Sequence, residues 1–359
     1  MMRAIGIDPG TVSIDICGLD DGALVLDRSL PTAAALADPA ALVALLECDG
    51  PPDCIAGPSG YGLPNTPAAE VTEEQLRLAY LAPPGERGGI GGLRALARAL
   101  ANSSLPVVFT PGVIHLPSVP AHRKVNRVDM GTADKVCAAA LGIREQARRR
   151  RCAITDVSFV MLELGGAFTA AIAVNGGRIV DGVGGTGGPP GLRAAGALDG
   201  EVAFLAGEIT KAVLFRGGAA SIRGDEDVTP ERFAERRTER ERLAWDAYIE
   251  GAVKAVAAMT VSVPAPHEIL LSGRLARVPA VRRSLAARLR GRAPVRVLTG
   301  FAAVAKQAAQ GAALIADGLA GGAHHELVEA LGIGDASGTA LDHLYVVAPA
   351  AARRRLGIA

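Results

Sequence analysis

Two carboxylates, Asp8 and Glu163, stand in the same local pattern although 155 positions separate them (163 minus 8). Each follows an apolar run, precedes a glycine, and is followed by a second apolar run and a hairpin turn. Glycine lets backbone N–H groups approach phosphate oxygens closely. A carboxylate beside phosphate requires a cation between them, and Mg²⁺ suits that role because it accepts few carboxylates and keeps several waters. The pair predicts a magnesium–triphosphate site with Asp8 and Glu163 on the metal.

A single acid–glycine pair is common by chance, and either acid alone is equally consistent with capping a turn. Repetition at corresponding places in two halves is the stronger signal, because self-similarity at domain length indicates duplication. The first copy also lacks the helix that follows a Walker-type or Rossmann-type loop. Two facing hairpins, one from each half, would instead clamp the phosphates between two domains.

The elements that must position these hairpins alternate between strands and helices in both halves, which indicates an α/β protein with mixed sheets. Apolar and β-branched runs predict strands at 3–8, 12–18 and 23–27, and the pattern restarts at "FVMLELGG". Helical spacing predicts helices over 129–150, 194–214 and 302–319. At 359 residues, the chain is expected to form two domains, 1–150 and 151–359, with the C-terminal segment packing back.

Composition excludes several classes of partner. Lys+Arg 38 against Asp+Glu 37 gives a formal net charge of +1, and aromatic residues are only 3%, so neither nucleic acid nor a membrane surface is expected as a partner. The five cysteines lack paired C-x-x-C spacing, which indicates reduced thiols and no structural zinc. Without a signal-like or bilayer-spanning stretch, the sequence predicts a cytoplasmic protein.

The motifs together resemble the actin-like ATPase superfamily of acetate and sugar kinases, DnaK-type chaperones and actin. "IGIDPGT" resembles its first phosphate motif, "LELGGAFTAAIAVNGGRIV" its second and "EILLSGRLARVP" its adenosine motif. "DMGTADKVCAAA" and "AKQAAQGAALIADGL" resemble its two connecting helices, so the resemblance covers nearly the whole chain in order. The combination "DPGT", "GPSGYGLP", "VDMGTADK" and "ELGGAFTAA" further resembles a family known chiefly as predicted butyrate kinases. Glu163 departs from the commoner Asp, and Ser272-Gly273-Arg274 departs from the usual Gly-Gly pair.

The resemblance implies two duplicated ribonuclease H-like domains with mixed five-stranded sheets and a cleft for ATP and Mg²⁺ between them. Four segments would hold the nucleotide: Gly10, Thr11 and Ser13; Glu163, Gly165, Gly166 and Ala167; Gly184, Gly185 and Thr186; Gly273 and Arg274. The acceptor would lie near Ser59, Gly60 and Tyr61, which supply hydroxyls and backbone N–H groups. Dimers are frequent among such duplicated kinases, so the resemblance also allows a homodimer.

The segment "HRKVNRVDMGTADK" carries the remaining candidate catalytic residues: Arg123, Arg127, Asp129, Asp134 and Lys135, which would act together with Asp8. A carboxylate kinase needs cations to bind its acceptor and to stabilise the transferring phosphoryl group, but no general base, because the acceptor is already ionised. A sugar kinase needs an aspartate to accept a hydroxyl proton, and Asp129 or Asp134 suits either scheme. A solvated basic loop explains the cluster equally well.

These observations favour an ATP-dependent small-molecule kinase that converts a short-chain carboxylate to an acyl phosphate, as in acetate and butyrate kinases. Two alternatives stay open: an ATP-driven regulator or activator of a partner enzyme, and a sugar or polyol kinase. The compact chain, without an added client-binding domain or iron–sulfur cysteines, favours the kinase.

Overall fold

The computed structural model describes residues 2–10, 12–47, 50–57, 60–82 and 90–358. Its strands form two mixed sheets, which confirms the predicted α/β architecture. The first sheet has the order β3-β2-β1-β4-β6-β5 and contains β1 (Arg3–Pro9), β2 (Ser13–Asp20), β3 (Ala23–Pro31), β4 (Cys54–Gly57), β5 (Thr66–Pro67) and β6 (Val107–Phe109). The second has the order β11-β10-β7-β8-β9 and contains β7 (Ser158–Leu164), β8 (Thr169–Asn175), β9 (Arg178–Val183), β10 (Glu268–Ser272) and β11 (Val295–Val297).

The two sheets repeat one topology. In each, three strands form an antiparallel meander, and two later strands add in parallel to the first strand of that meander. The second sheet has the predicted five strands, whereas the first has a sixth, the two-residue edge strand β5, which pairs antiparallel to β6. A strand that short, with proline as one of its residues, leaves no periodic pattern in the sequence.

The helices lie between the sheets and on their outer faces. They are α1 (Thr32–Ala37), α2 (Pro39–Glu47), α3 (Glu73–Tyr80), α4 (Ile90–Ala101), α5 (Ala121–Lys124), α6 (Ala133–Arg150), α7 (Gly200–Ala206), α8 (Ala219–Arg223), α9 (Pro230–Phe233), α10 (Glu239–Met259), α11 (Pro279–Arg288), α12 (Gln307–Leu319), α13 (His325–Leu331) and α14 (Pro349–Arg355). Within the described ranges, none of them combines the length and apolar surface that crossing a bilayer demands.

Helices α6 and α12 form the centre of the molecule, between the inner faces of the two sheets. Helix α12, from the second half of the sequence, packs so closely on β1 that a methyl group at Gly6 would lie 2.1 Å from the Ala313 nitrogen. Helix α6, from the first half, packs on the second sheet, where Gly142 abuts Phe159 of β7. Each half thus contributes a helix to the other half's sheet, and one core joins both sheets.

The two central helices touch backbone to backbone where they cross. A methyl group at Gly311 would lie 1.7 Å from the carbonyl oxygen of Cys137, so α6 and α12 must separate to admit it. We expect Gly311→Ala to lower the free energy of unfolding by about 1–3 kcal/mol or more, because overpacking a dense core forces backbone shifts. Urea denaturation measures this, with Gly334→Ala as control, since a methyl group there meets no atom within 4 Å. Equal stability of the two variants would contradict the close crossing.

Outer helices cover the other face of each sheet. The first sheet carries α1 to α4 there, and the second carries α8, α10 and α11. The C-terminal segment lies against α3: Leu78 packs with Leu341 and Ile358, and Arg77 Nη1 donates to the Gly357 carbonyl oxygen at 2.5 Å.

Two of the predicted central helices begin later than expected. The helix predicted over 129–150 starts at Ala133, because Gly131 has a φ of +127° and Thr132 is extended as the N-cap. The helix predicted over 302–319 starts at Gln307, because the preceding backbone N–H groups bind the Asp27 carboxylate instead.

The region predicted as helical over 194–214 is mostly irregular. It contains the seven-residue helix α7, which Gly207 follows with a φ of +73°, and a single 3₁₀ turn at Val213–Phe215. One of its small residues, Gly196, has a φ of +80° and approaches the chain so closely that a methyl group there would lie 2.5 Å from the carbonyl oxygens of Gly188 and Pro189.

Candidate functional site

The turn after β1 is the first of the two predicted hairpins. Gly10 N–H donates to the Ser13 carbonyl oxygen at 2.8 Å, which closes the turn, and Thr32 Oγ1 donates to the Gly10 carbonyl oxygen at 2.7 Å. Asp8 is opposite Asp15 in the β1–β2 ladder. Thr11, predicted to contact phosphate, lies outside the described residues. The hairpin is therefore held in a fixed shape by the first sheet and by the start of α1.

The turn after β7 is its counterpart. Gly165 N–H donates to the Phe168 carbonyl oxygen at 3.0 Å, and a methyl group at Gly166 would meet no atom within 4 Å. Glu163 lies at the end of β7 and accepts a hydrogen bond from Ser272 Oγ of β10. Gly273, the glycine of the predicted adenosine motif, has a φ of +87° and leaves no room for a side chain beside Glu163. The second predicted phosphate hairpin and the predicted adenosine motif thus meet at Glu163.

A cluster of charged side chains joins the two hairpins. Lys135, at the start of α6, contacts Asp134 Oδ2 through its Nζ at 2.5 Å, and Lys306, just before α12, contacts Asp15 Oδ2 at 2.7 Å. Burial raises the pKa of Asp8 and of Glu163, and the positive charges of both lysines oppose that rise, so all these groups interact electrostatically. The cluster contains Asp8, Asp15, Asp134, Glu163, Lys135 and Lys306.

The two predicted metal ligands have unfavourable environments for their charged forms. Burial, with Asp134 nearby, raises the pKa of Asp8 to about 7 despite the opposing lysines. Burial likewise raises the pKa of Glu163. By contrast, although burial opposes it, Lys135 together with the Thr132 hydroxyl holds the pKa of Asp134 below its usual value. Asp134 is thus satisfied as a carboxylate, whereas Asp8 and Glu163 would each gain from a further cation.

These residues fit Mg²⁺. When all four carboxyl groups are ionised, they and the two ammonium groups leave two negative charges, the number that a divalent cation neutralises. Mg²⁺ needs only one or two protein carboxylates because it keeps several of its waters. In the part of the chain that the structure describes, no group of three or more His, Cys, Asp or Glu side chains converges as a metal site.

Asp129 anchors the glycine-rich loop after β9. Its Oδ2 accepts from the Thr186 N–H at 3.0 Å and from Thr186 Oγ1 at 3.1 Å, and its Oδ1 accepts from the Gly131 N–H at 3.1 Å. A methyl group at Gly184 would lie 1.7 Å from Oδ1, so the loop closes tightly over the carboxylate, and Gly185 packs in the same way on Phe168. Asp129 thus holds the predicted nucleotide-binding loop against the first half of the chain.

The predicted basic cluster is divided by the structure. Arg123 donates through Nη1 to the Val180 carbonyl oxygen at 2.6 Å and lies 3.8 Å from Asp181, so it is bound to β9. Arg127 is exposed, and a methyl group at Gly187 would lie 3.2 Å from its Nη1, which places its guanidinium beside the loop that Asp129 anchors. Of the two predicted catalytic arginines, only Arg127 has its guanidinium directed towards the loop.

The predicted acceptor segment lies at the start of α6. The Gly60 carbonyl oxygen accepts from the Ala133 N–H at 3.1 Å, and Tyr61 N–H donates to the Ala79 carbonyl oxygen at 2.8 Å. Burial, together with the nearby Asp129 carboxylate, raises the pKa of the Tyr61 hydroxyl. Lys211 Nζ lies 5.4 Å from the centroid of the Tyr61 ring. Ser59 lies outside the described residues.

Three charged residues near these segments were missed by the sequence analysis. Lys306 and Asp15 flank the first hairpin, and Lys211 covers Tyr61 from the irregular region between α7 and Val213–Phe215. Lys306 is part of "AKQAAQ", where a single lysine before an alanine-rich helix resembles any solvated helix start. Arg274, by contrast, was predicted and is exposed, at the start of the 3₁₀ turn Leu275–Arg277.

Comparisons with solved structures show that several kinases have a similar fold. A propionate kinase from Francisella tularensis subsp. tularensis SCHU S4 is 12% identical, with a TM-score of 0.61, over 87% of this chain and 99% of that one. An acetate kinase from Porphyromonas gingivalis is 14% identical, with a TM-score of 0.57, over 87% and 98%. A proposed N-acetylmannosamine kinase from Listeria monocytogenes is 13% identical, with a TM-score of 0.52, over 91% and 99%. At such identities the likeness shows the fold alone: the chain has the actin-like ATPase fold of these kinases.

Sequence comparisons give the family. No curated protein sequence matches the chain significantly. One family model, described as "Protein of unknown function (DUF1464)", matches residues 6–346 of the 359. The match covers both phosphate hairpins, the adenosine motif and both central helices, and the chain therefore belongs to the DUF1464 family.

Proposed function

We propose that the protein is an ATP-dependent kinase whose phosphoryl acceptor is a short-chain carboxylate. The proposal rests on one observation: both candidate general bases, Asp129 and Asp134, are already engaged by other groups of the protein. Asp129 is occupied by three hydrogen bonds from Gly131 and Thr186, and Asp134 is paired with Lys135. A general base works best with a pKa near the operating pH, and Lys135 holds the pKa of Asp134 low although burial opposes it. An acceptor that is already ionised needs neither group.

The transfer itself makes modest chemical demands on the chain. A lone pair of the acceptor carboxylate oxygen forms a bond to the terminal phosphorus of ATP, and the bond from that phosphorus to the bridging oxygen breaks, leaving its electron pair on ADP. The protein must align the two oxygens and neutralise charge on the phosphoryl group. The Gly10 N–H, the Gly165 N–H and the Ser13 hydroxyl already donate to groups of the protein. In the second turn, Gly166 and Ala167 would therefore hold phosphate oxygens, while Asp8 and Glu163 would hold Mg²⁺, which neutralises phosphate charge when bound.

The acceptor would bind between the Gly60–Tyr61 segment and the loop at Gly184–Thr186. Arg127 and Lys211 are the cations that would attract its carboxylate, because the first lies beside that loop and the second lies over Tyr61. Acetate and propionate kinases share the fold, and the motif combination resembles predicted butyrate kinases, so acids of two to four carbons are the first to test.

The test is an acyl phosphate assay. Purified protein with Mg²⁺ and ATP is incubated with each of a series of short-chain acids and with hydroxylamine, which converts an acyl phosphate to a coloured hydroxamate. We expect hydroxamate and ADP in equal amounts with at least one acid. A parallel series of sugars and polyols should release no ADP above background. Stimulation by a polyol without hydroxamate, or by no acceptor at all, would overturn the carboxylate assignment.

A second candidate, an ATP-driven regulator of a partner enzyme, has one observation in its favour. Helix α7 exposes Val202, Phe204 and Leu205, the last two at 79% and 80% of their accessible surface. Exposed apolar patches frequently mark contacts with other proteins. This candidate predicts slow hydrolysis of ATP that no small acceptor accelerates and that a protein partner stimulates.

A further inference from the structure

Lys306 lies at the first phosphate hairpin although it comes from the opposite end of the chain. Its Nζ donates to Ser13 Oγ at 2.6 Å and contacts Asp15 Oδ2 at 2.7 Å. A methyl group at Gly10 would lie 3.3 Å from the same nitrogen, so the ammonium lies directly beside the turn. Its side chain keeps 37% of its accessible surface, whereas that of Asp15 keeps 2%. The ammonium is thus anchored on one side and open on the other.

The chain before Lys306 is fixed by a second anchor. The Asp27 carboxylate accepts hydrogen bonds from the backbone N–H groups of Ala303, Val304 and Ala305, at 2.8, 3.0 and 2.6 Å. Asp27 belongs to β3, in the same sheet as the hairpin. The segment that carries Lys306 therefore cannot move away from the hairpin without breaking these bonds. Asp27 and Asp15 together hold the Lys306 side chain beside the hairpin, so the position of its charge is fixed before a ligand binds.

A purely structural ion pair is the other explanation for this arrangement. Because Ser13 Oγ donates to Asp15 Oδ2 at 2.9 Å, such a pair accounts for the contacts of Lys306 with both Asp15 and Ser13. It does not account for the position of the ammonium beside Gly10, in the predicted phosphate turn, or for its exposed side. A lysine ammonium is a compact charge with three donors, and Ser13 and Asp15 use two of them. One donor remains for an anion in the hairpin.

We propose that Lys306 contacts the terminal phosphate of the bound nucleotide, with Asp15 and Ser13 as positioning residues for its ammonium. This inference rests on the proposed function and adds a residue to the same site. During transfer the positive charge of the ammonium neutralises charge on the phosphoryl oxygens. It takes no part in the bonds that form and break, which are those given above for the acceptor oxygen and the bridging oxygen.

The experiment compares two nucleotides that differ by the terminal phosphate. Calorimetric titration measures the affinities of ADP and of the non-hydrolysable analogue AMP-PNP, with Mg²⁺ present, for wild type and variants. For Lys306→Gln we expect the affinity for AMP-PNP to fall about 10- to 100-fold, while the affinity for ADP changes less than about threefold. Lys306→Arg should recover most of the lost affinity. Lys254→Gln, which removes an equal charge from an exposed pair with Glu250, should behave as wild type.

The outcomes separate the two proposals. Equal losses for ADP and AMP-PNP, together with a lower melting temperature, would show that Lys306 only fastens α12 to the hairpin. Unchanged affinities would likewise overturn the assignment, while leaving the proposed function intact. A wild-type protein that binds neither nucleotide would overturn the proposed function itself, and the Lys306 assignment with it. Asp15→Asn supplies an independent check: it should weaken AMP-PNP binding less than Lys306→Gln, because the ammonium is retained but loses its anchor.

Discussion

Asp8→Asn is expected to lose Mg²⁺-dependent turnover of ATP by about 100-fold or more, and yet to melt at a higher temperature than the wild type at pH 8. The loss follows because the amide is neutral and cannot hold a divalent cation beside the phosphates. The gain follows because the wild-type carboxylate is partly buried near Asp134, where its charge is unfavourable without metal.

The sign of the pH dependence comes from the raised pKa of Asp8. The folded protein binds the Asp8 proton more tightly than the unfolded chain does, with a pKa of about 7 against 3.8. The protonated group therefore contributes its full stability below about pH 4, and that contribution is lost as the pH rises through 7. Asp8→Asn should thus stabilise the metal-free protein by a few degrees at pH 8 and by much less at pH 5.

Thermal unfolding at the two pH values, with and without Mg²⁺ and AMP-PNP, measures both effects. The ligands should raise the melting temperature of the wild type far more than that of Asp8→Asn. Asp246→Asn, in an exposed pair with Arg288, is the matched control and should change neither property. Near-normal turnover by Asp8→Asn would contradict the metal role of Asp8.

Asp129→Asn is expected to lower the free energy of unfolding by about 2–4 kcal/mol. Both oxygens of Asp129 accept hydrogen bonds, three in all, and an amide has only one oxygen that can accept them. In either orientation the amide would direct its NH₂ group at the N–H of Gly131 or at Thr186. The loop Gly184–Thr186 would then loosen, and we expect a raised KM for ATP.

Chemical denaturation and steady-state kinetics of Asp129→Asn distinguish an anchor from a general base. Thr186→Ala, which removes the hydroxyl but keeps the N–H bond, should cost about 1 kcal/mol and raise the KM for ATP less than Asp129→Asn does. A variant Asp129→Asn with wild-type stability and no turnover would instead identify Asp129 as a base, and would favour a hydroxyl acceptor.

The strands and their duplication could be predicted because they depend on local patterns. Asp8 and Glu163 lie at equivalent ends of β1 and β7, as the repeated strand–acid–glycine pattern indicates. Helix starts were predicted less well, since they depend on distant partners: the start of α12 is set by Asp27, more than 270 residues earlier in the chain. No local signal in "FAAVAK" records that contact.

The charged residues of the site divide in the same way. Asp8, Asp134, Lys135 and Glu163 belong to recognisable motifs and are brought together by the structure. Arg123 belongs to the same basic run as Arg127 but is directed towards β9, because α5 ends at Lys124 and the chain turns at Asn126, whose φ is +52°. The sequence shows that Arg123 and Arg127 are close along the chain. Which groups each guanidinium contacts depends on how the segments pack, and the local sequence does not show that.

The exchange of α6 and α12 between the sheets has a consequence for how the chain is made. When a ribosome has completed residues 1–150, the inner face of β1 is still bare, because its covering helix ends at Leu319. Helix α6 meanwhile has no second sheet to pack on until β7 and β10 have emerged. We therefore do not expect the usual order, in which an N-terminal domain folds first during translation. The two halves must finish folding together, and the nascent first half must remain soluble until then.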